Sequence, residues 1–277
     1  MLYLLLAVLS STMISVVMRI STDKVSGNLT MLATNYLICI ILGAVYTGIP
    51  SEMPEGSKVL LTLGLGALNG ALLLGGFVLL QSNTRKNGIV LSSIFMKLGL
   101  LVPILVSILF FKEVPTALQI AGFCVAVGAI VLINLKKDEK GGFGLGLLLL
   151  LLVGGSADAM VKVFEVFGPG ELSDGFLLIS FGVAFVLCGG LLLRKKEHPN
   201  AQAVLFGSLI GIPNFFCSRF LLAALTKLPA VVVYPTFSVG TMFVVTLCGL
   251  LFFKERLEKR QWIAFAAVIA ALVMLNV

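Results

Sequence analysis

Apolar residues run through this chain in stretches of about twenty, broken by short clusters of charged and turn-forming residues. At about 1.5 Å per residue, a helix of that length matches a hydrocarbon core about 30 Å thick. The pattern predicts helical spans near residues 2–19, 29–48, 58–81, 89–111 and 116–135, then 145–167, 173–193, 201–226, 230–253 and 260–276. That makes ten spans in two sets of five. The polar break Lys136-Lys137-Asp138-Glu139-Lys140-Gly141-Gly142 lies between the sets. The division is therefore a first five-helix repeat over 1–137, a polar linker over 138–144 and a second repeat over 145–277. The first run starts at Leu2 with no basic leader and no small-residue cleavage site before Arg19, so it is expected to remain as a span.

Two internal matches support the division. Phe110-Phe111-Lys112-Glu113 and Phe252-Phe253-Lys254-Glu255 each close the fourth run of their set. In the third runs, Gly66-Ala67-Leu68-Asn69 aligns with Gly211-Ile212-Pro213-Asn214, which gives each half an Asn at one helical position. Five spans per copy put the second copy upside down relative to the first. Loop charge fits that arrangement. Of the 20 Lys and Arg residues, Lys97, Lys162 and Arg219 lie inside spans and Lys58, Lys112 and Lys227 lie in even-numbered connections, which leaves 14 in odd-numbered ones. By the positive-inside rule the odd connections are cytoplasmic and both termini are outside.

Composition narrows the class. The 277 residues are 59% hydrophobic and 12% charged, with a mean hydropathy of +1.11. Soluble domains carry roughly 25% charged residues, so the fold class expected is an all-α membrane protein of ten transmembrane helices, as two inverted five-helix repeats. The formal net charge of +7 resides in loops, where it reports orientation, and leaves no surface for nucleic acid. The five cysteines fall inside apolar runs, without disulfide or metal-ligand spacing, and are expected to be small core residues.

The stretch from Ser93 to Leu135, with Phe-Phe-Lys-Glu followed by Gln119-Ile120-Ala121-Gly122, resembles the EamA domain of the drug/metabolite transporter superfamily. The second half, from Tyr234-Pro235 through Lys254-Glu255-Arg256-Leu257 to the C-terminus, resembles another copy. The resemblance implies a secondary transporter or exporter of small metabolites, with a central cavity between the halves and a substrate site near mid-membrane. It does not specify the substrate.

An ionisable group inside a span costs at least about 2.5 kcal/mol at the centre and is a functional candidate by default. Lys97 sits about eight residues into the fourth run, where the second repeat has Val239, and can pair with an anionic part of a solute or be satisfied within the bundle. Arg219 offers a planar fork suited to carboxylate or phosphate, or else snorkels to the outer interface. Asp158 and Lys162 are four residues apart and can neutralise each other on one helix face; the alternative makes Asp158 a proton-coupling carboxylate. Asn69 and Asn214 can recognise substrate or hold helices together, and Gly66-x-x-x-Gly70 and Gly207-x-x-x-Gly211 permit close helix approach on the same spans. Asn35, Tyr36 and Tyr234 are further polar handles. Pro103, Pro213 and Pro235 mark places where helical hydrogen bonding is interrupted, and Trp262 suits an interface.

No catalytic constellation, cofactor motif or metal-ligand set is visible. The single His198 lies in the loop Arg194-Lys195-Lys196-Glu197-His198, and no P-loop is present to drive transport with ATP. The chain is expected not to be an enzyme. The function expected is secondary transport of a small anionic or zwitterionic metabolite by alternating access, with Lys97, Arg219, Asn69, Asn214, Tyr36 and Tyr234 on the substrate. Its partners would be that solute, the lipid bilayer, and protons or another coupling ion, in a bacterial-type plasma membrane. One alternative is proton-coupled export of amines or drugs through Asp158; another is a non-transporting structural subunit.

Overall fold

The computed structural model describes residues 1–21, 24–25, 28–47, 56–87, 89–134, 144–195, 197, 200–251 and 259–276. Among them the regular elements are α1 (Leu2–Ser21), α2 (Asn28–Thr47), α3 (Gly56–Asn87), α4 (Ile89–Leu98), α5 (Leu101–Phe110), α6 (Ala117–Asn134), α7 (Leu145–Phe167), α8 (Ser173–Lys195), α9 (Ala201–Leu225), α10 (Ala230–Leu251) and α11 (Lys259–Asn276), with a 3₁₀ turn at Gly170–Leu172. His198, the linker over 138–143 and the second Phe-Phe-Lys-Glu copy at 252–255 lie outside the described residues.

Helix ends follow local chemistry. Before α6, Thr116 and Gln119 cap each other, the Gln119 amide donating to Thr116 Oγ1 and the Thr116 amide to Gln119 Oε1. Before α9, the Asn200 side chain accepts from the Gln202 amide at 3.0 Å. Among the described residues seven helices are long and apolar enough to cross a membrane: α1, α2, α3, α7, α8, α9 and α10. The other three expected spans fall on shorter apolar helical segments, Ile94–Phe110, Ala117–Leu132 and Ala266–Leu275. Large apolar side chains such as Leu193, Phe110, Leu145 and Val45 are more than two-thirds exposed, an arrangement water would penalise and lipid accepts.

Two boundaries differ from the sequence expectation. The third helix continues to Asn87, well beyond residue 81, because Gln81-Ser82-Asn83-Thr84-Arg85-Lys86-Asn87 contains no helix breaker, and Asn83 ties it to Gly146 of α7 at 2.9 Å. The fourth span is interrupted at Gly99-Leu100 into α4 and α5.

The chain forms two compact units, one of Met1–Leu74 with Val163–Ala224 and the other of Gly75–Lys162 with Leu225–Val277. Each takes one stretch from either side of the sequence repeat, so compactness and repeat divide the chain differently.

In the first unit, glycines let helices from opposite halves touch. A Cβ built on Gly66 of α3 would come within 2.9 Å of Ile179 and 3.2 Å of the Phe176 carbonyl on α8. On Gly70 it would run into the Ser180 carbonyl and lie 2.9 Å from Val183. Gly207 and Gly211 of α9 meet α2 in the same manner, at Met31 and Thr34 and at Asn35 and Ile38. The α8 positions follow the α2 positions by a constant 145 residues (176 − 31, 183 − 38), and the α9 glycines follow those of α3 by 141 (207 − 66, 211 − 70). The packing default for both G-x-x-x-G motifs is what the helices use. In the second unit, Ala126 and Ala129 of α6, Val239 of α10 and Val268, Ala271 and Leu275 of α11 form a dry core.

Candidate functional site

In the second unit the break between α4 and α5 has a local cause. Pro103 has no amide proton, and its ring displaces the carbonyl four residues earlier, that of Gly99. Gly99 O accepts instead from the Val102 amide at 2.9 Å, a tighter turn than an α-helix. By contrast, α9 and α10 continue through Pro213 and Pro235. The break rests on glycines of α7. A Cβ on Gly155 would strike the Gly99 carbonyl and lie 2.6 Å from Val102 Cγ2, and one on Gly154 would lie 3.2 Å from Met96 Sδ. Gly76 of α3 approaches the same place, its built Cβ 3.6 Å from Gly154 Cα.

Two candidate charges flank this crossing in sequence. Lys97, in the last turn of α4, stands two residues before Gly99; Asp158 stands three residues after Gly155 on α7. Both side chains are partly buried, and among the described residues neither charged group has a hydrogen-bond or ion-pair partner. Tyr234, 2% exposed, donates its hydroxyl to the Asp158 backbone carbonyl at 2.6 Å and so links α10 to α7.

The expected pairing of Asp158 with Lys162 does not form. Lys162 Nζ lies 2.9 Å from Glu113 Oε1 and 6.0 Å from the centroid of the Phe111 ring. Glu113 reaches it because the chain turns sharply after α5. Lys112 takes the left-handed conformation at φ 55°, and the Glu113 amide donates back to the Ser107 carbonyl at 3.2 Å. The second carboxylate oxygen of Glu113 accepts from the Ala230 amide at 2.8 Å, at the first turn of α10, where the helix dipole favours negative charge. One carboxylate therefore joins three elements, and Lys162 prefers it to the isolated acid one turn away.

The remaining candidates lie in the first unit. Arg219 of α9 holds Asp174 of α8 with both edges of the carboxylate, Nε to Oδ1 at 2.7 Å and Nη2 to Oδ2 at 3.0 Å, and its Cζ lies 4.4 Å from the Tyr46 ring centroid. Its charge is met within the chain. Asn214 donates to Asn35 Oδ1 at 3.1 Å, Asn69 donates to Ser180 Oγ at 3.1 Å, and the buried Tyr36 ring lies 6.2 Å from that of Phe181. All three join helices of this unit. The glycine contacts also shift the alignment of the two asparagines. With α9 offset from α3 by 141, the counterpart of Asn69 is Ile210 and that of Asn214 is Leu73, so the two asparagines stand one helical turn apart.

Residues 141–277 match the family model described as the EamA-like transporter family. The match spans 137 of the chain's 277 residues. A relative from Haemophilus influenzae, itself described only as an uncharacterized protein, is 26% identical over 286 residues, covering 97% of this chain and 95% of its own. A solved structure described as the crystal structure of a protein superposes with a TM-score of 0.71 at 14% identity, covering 99% of this chain and 98% of that one, which shows a shared fold.

The charged residues can be sorted by what meets them. Tyr234 meets the Asp158 backbone, and Arg219, Asn69, Asn214 and Tyr36 have partners within the first unit. The sequence reading missed Glu113 and Asp174 as the acids that hold Lys162 and Arg219. Glu113 was visible as part of the EamA-like Phe-Phe-Lys-Glu ending, but its reach depends on the backbone turn at Lys112, which no pattern of apolar residues reports.

Proposed function

We propose that this EamA-like protein is a secondary transporter of a small zwitterionic metabolite of the amino-acid type, working by alternating access between inverted repeats. One observation carries the reading. Of the four charges deep in the spans, Lys162 and Arg219 face acids of the chain, whereas Lys97 and Asp158, one cation and one anion, have no ionic partner among the described residues. A solute carrying one charge of each sign would balance both, its carboxylate toward Lys97 and its ammonium toward Asp158. An anion alone would leave Asp158 uncompensated, and a cation alone would leave Lys97 so, at several kcal/mol in a low-dielectric site. The break at Gly99-Leu100 is a joint in the span, a feature common to transporter binding sites. The two helix pairs that exchange glycine partners in the first unit support the repeat.

The unpaired Asp158 favours a second reading, in which it carries protons in exchange for amines. One assay separates the two: thermal stabilisation of the purified protein by neutral amino acids, organic acids and amines, repeated with Lys97→Met and Asp158→Asn. Ligands stabilise by mass action. Under the zwitterion reading only amino acids raise the melting temperature, and either substitution reduces the rise. Stabilisation by amines alone, retained in Lys97→Met, would instead identify the proton-coupled exporter.

A further inference from the structure

The ion pair at the end of the first unit has features that a structural strut does not need. Arg219 lies in α9 and Asp174 in the first turn of α8, with side chains 36% and 21% exposed, so neither group is sealed in the core. Only Nε and Nη2 of the guanidinium are engaged; among the described residues Nη1 donates to no partner. Each Asp174 oxygen accepts one of these two bonds, and a carboxylate oxygen has capacity for a second. The pair thus presents an open positive edge beside an open negative one. Tyr46 lies under the guanidinium, and its ring touches Phe215 and Phe216, with Phe216 stacked on Phe220 at 5.8 Å and Phe220 on Tyr3 at 6.4 Å. These rings come from the start of α1, the end of α2 and the last turns of α9, and form one aromatic wall at the same end of the unit as Asp174.

A partly exposed ion pair contributes little to stability. A guanidinium in an apolar run is costly. Apolar side chains would join α8 and α9 more cheaply, so the presence of both charges points to something the pair binds.

We propose that Arg219, Asp174 and the adjoining rings form a second recognition site for zwitterionic amino acids. The solute lies antiparallel to the pair, its carboxylate on the free Nη1 edge and its ammonium on the outer lone pairs of Asp174, with its side chain along Phe216 and Phe220. The ion pair need not open, because each partner has bonding capacity in reserve. This inference extends the zwitterion reading but uses different residues, so the two can fail separately.

The test is equilibrium dialysis of the full-length purified protein with labelled glycine and labelled L-phenylalanine. Wild type is expected to bind two equivalents of each, the L-phenylalanine more tightly at this site because of the ring wall. Arg219→Gln with Asp174→Asn is expected to lose one equivalent. Arg219→Lys, which keeps the charge and the fold but lacks a second edge, should weaken that equivalent by at least about tenfold, the value of one charge-assisted hydrogen bond. Lys97→Met with Asp158→Asn should retain it. Should the Arg219 and Asp174 variants keep both equivalents at wild-type affinity and change only the melting temperature, the pair is a strut and the inference is wrong while the deep-site reading stands. Two equivalents surviving in Lys97→Met/Asp158→Asn would overturn the deep site instead. A wild type that binds neither probe would overturn both.

Discussion

Gly155→Ala tests the crossing on which the deep site depends. The added methyl group would enter the space of the Gly99 carbonyl and lie 2.6 Å and 2.8 Å from Val102 Cγ2 and Cβ. Turning the Val102 side chain moves Cγ2 but leaves Cβ in place. The carbonyl is backbone, already fixed by the Val102 amide at 2.9 Å, and cannot move without reshaping the α4–α5 break. Overpacking of this kind costs about 1–3 kcal/mol. Gly128→Ala on α6 is the matched control, because nothing lies within 4 Å of a Cβ there, and replacing a mid-helix glycine by alanine gains about 0.5–1 kcal/mol. The two substitutions add the same methyl group and should move stability in opposite directions. In thermal unfolding followed by size-exclusion chromatography, Gly155→Ala should melt roughly 2–12 °C below wild type and Gly128→Ala slightly above it. If Gly155→Ala melts at or above the wild-type temperature while Gly128→Ala rises, α7 does not touch the break as described.

Other expectations concern the links around the two units. Tyr234→Phe removes the bond to the Asp158 carbonyl and should cost about 1 kcal/mol in the same assay, with a larger loss of amino-acid-dependent stabilisation than of stability if α10 holds α7 for binding. Glu113→Gln keeps an acceptor for the Ala230 amide but withdraws the charge facing Lys162, so it should destabilise clearly and by less than Glu113→Ala, which loses both; a Glu113→Gln variant as stable as wild type would show that the ion pair contributes nothing. Lys112→Gly relieves a left-handed residue and should leave stability unchanged or raise it by up to about 1 kcal/mol, whereas a loss would mean that the Lys112 side chain matters more than its backbone. A C-terminal reporter active only in the cytoplasm should stay silent, as the distribution of Lys and Arg requires.

Apolar patterning located the helices because each is longer than the polar gaps around it, and it located Lys97 and Asp158 because a charge in such a run is conspicuous. It did not show how those charges are met. Glu113 and Asp174 stand at helix ends, where acids are unremarkable in sequence, and become partners only after α5 turns at Lys112 and α8 packs beside α9. The i,i+4 spacing of Asp158 and Lys162 suggested an ion pair, yet proximity along a helix lost to a carboxylate that also satisfies the start of α10. The asparagine match between the halves fell one turn out of register for a related reason. Four aligned letters identify similar composition, while glycine contacts identify which surfaces meet.

The exchange of glycine partners in the first unit has a consequence for assembly. Gly207 packs on Met31 and Gly66 on Phe176, so each smooth glycine face is covered by a helix from the other half of the chain. During synthesis α2 and α3 enter the bilayer first and wait with those faces turned to lipid. At about 5–20 residues per second, the 176 residues between Met31 and Gly207 (207 − 31) take roughly 9–35 s to appear. Neither half can finish this unit by itself, and a chain cut at the repeat boundary would offer its uncovered glycine stripes to any neighbouring copy.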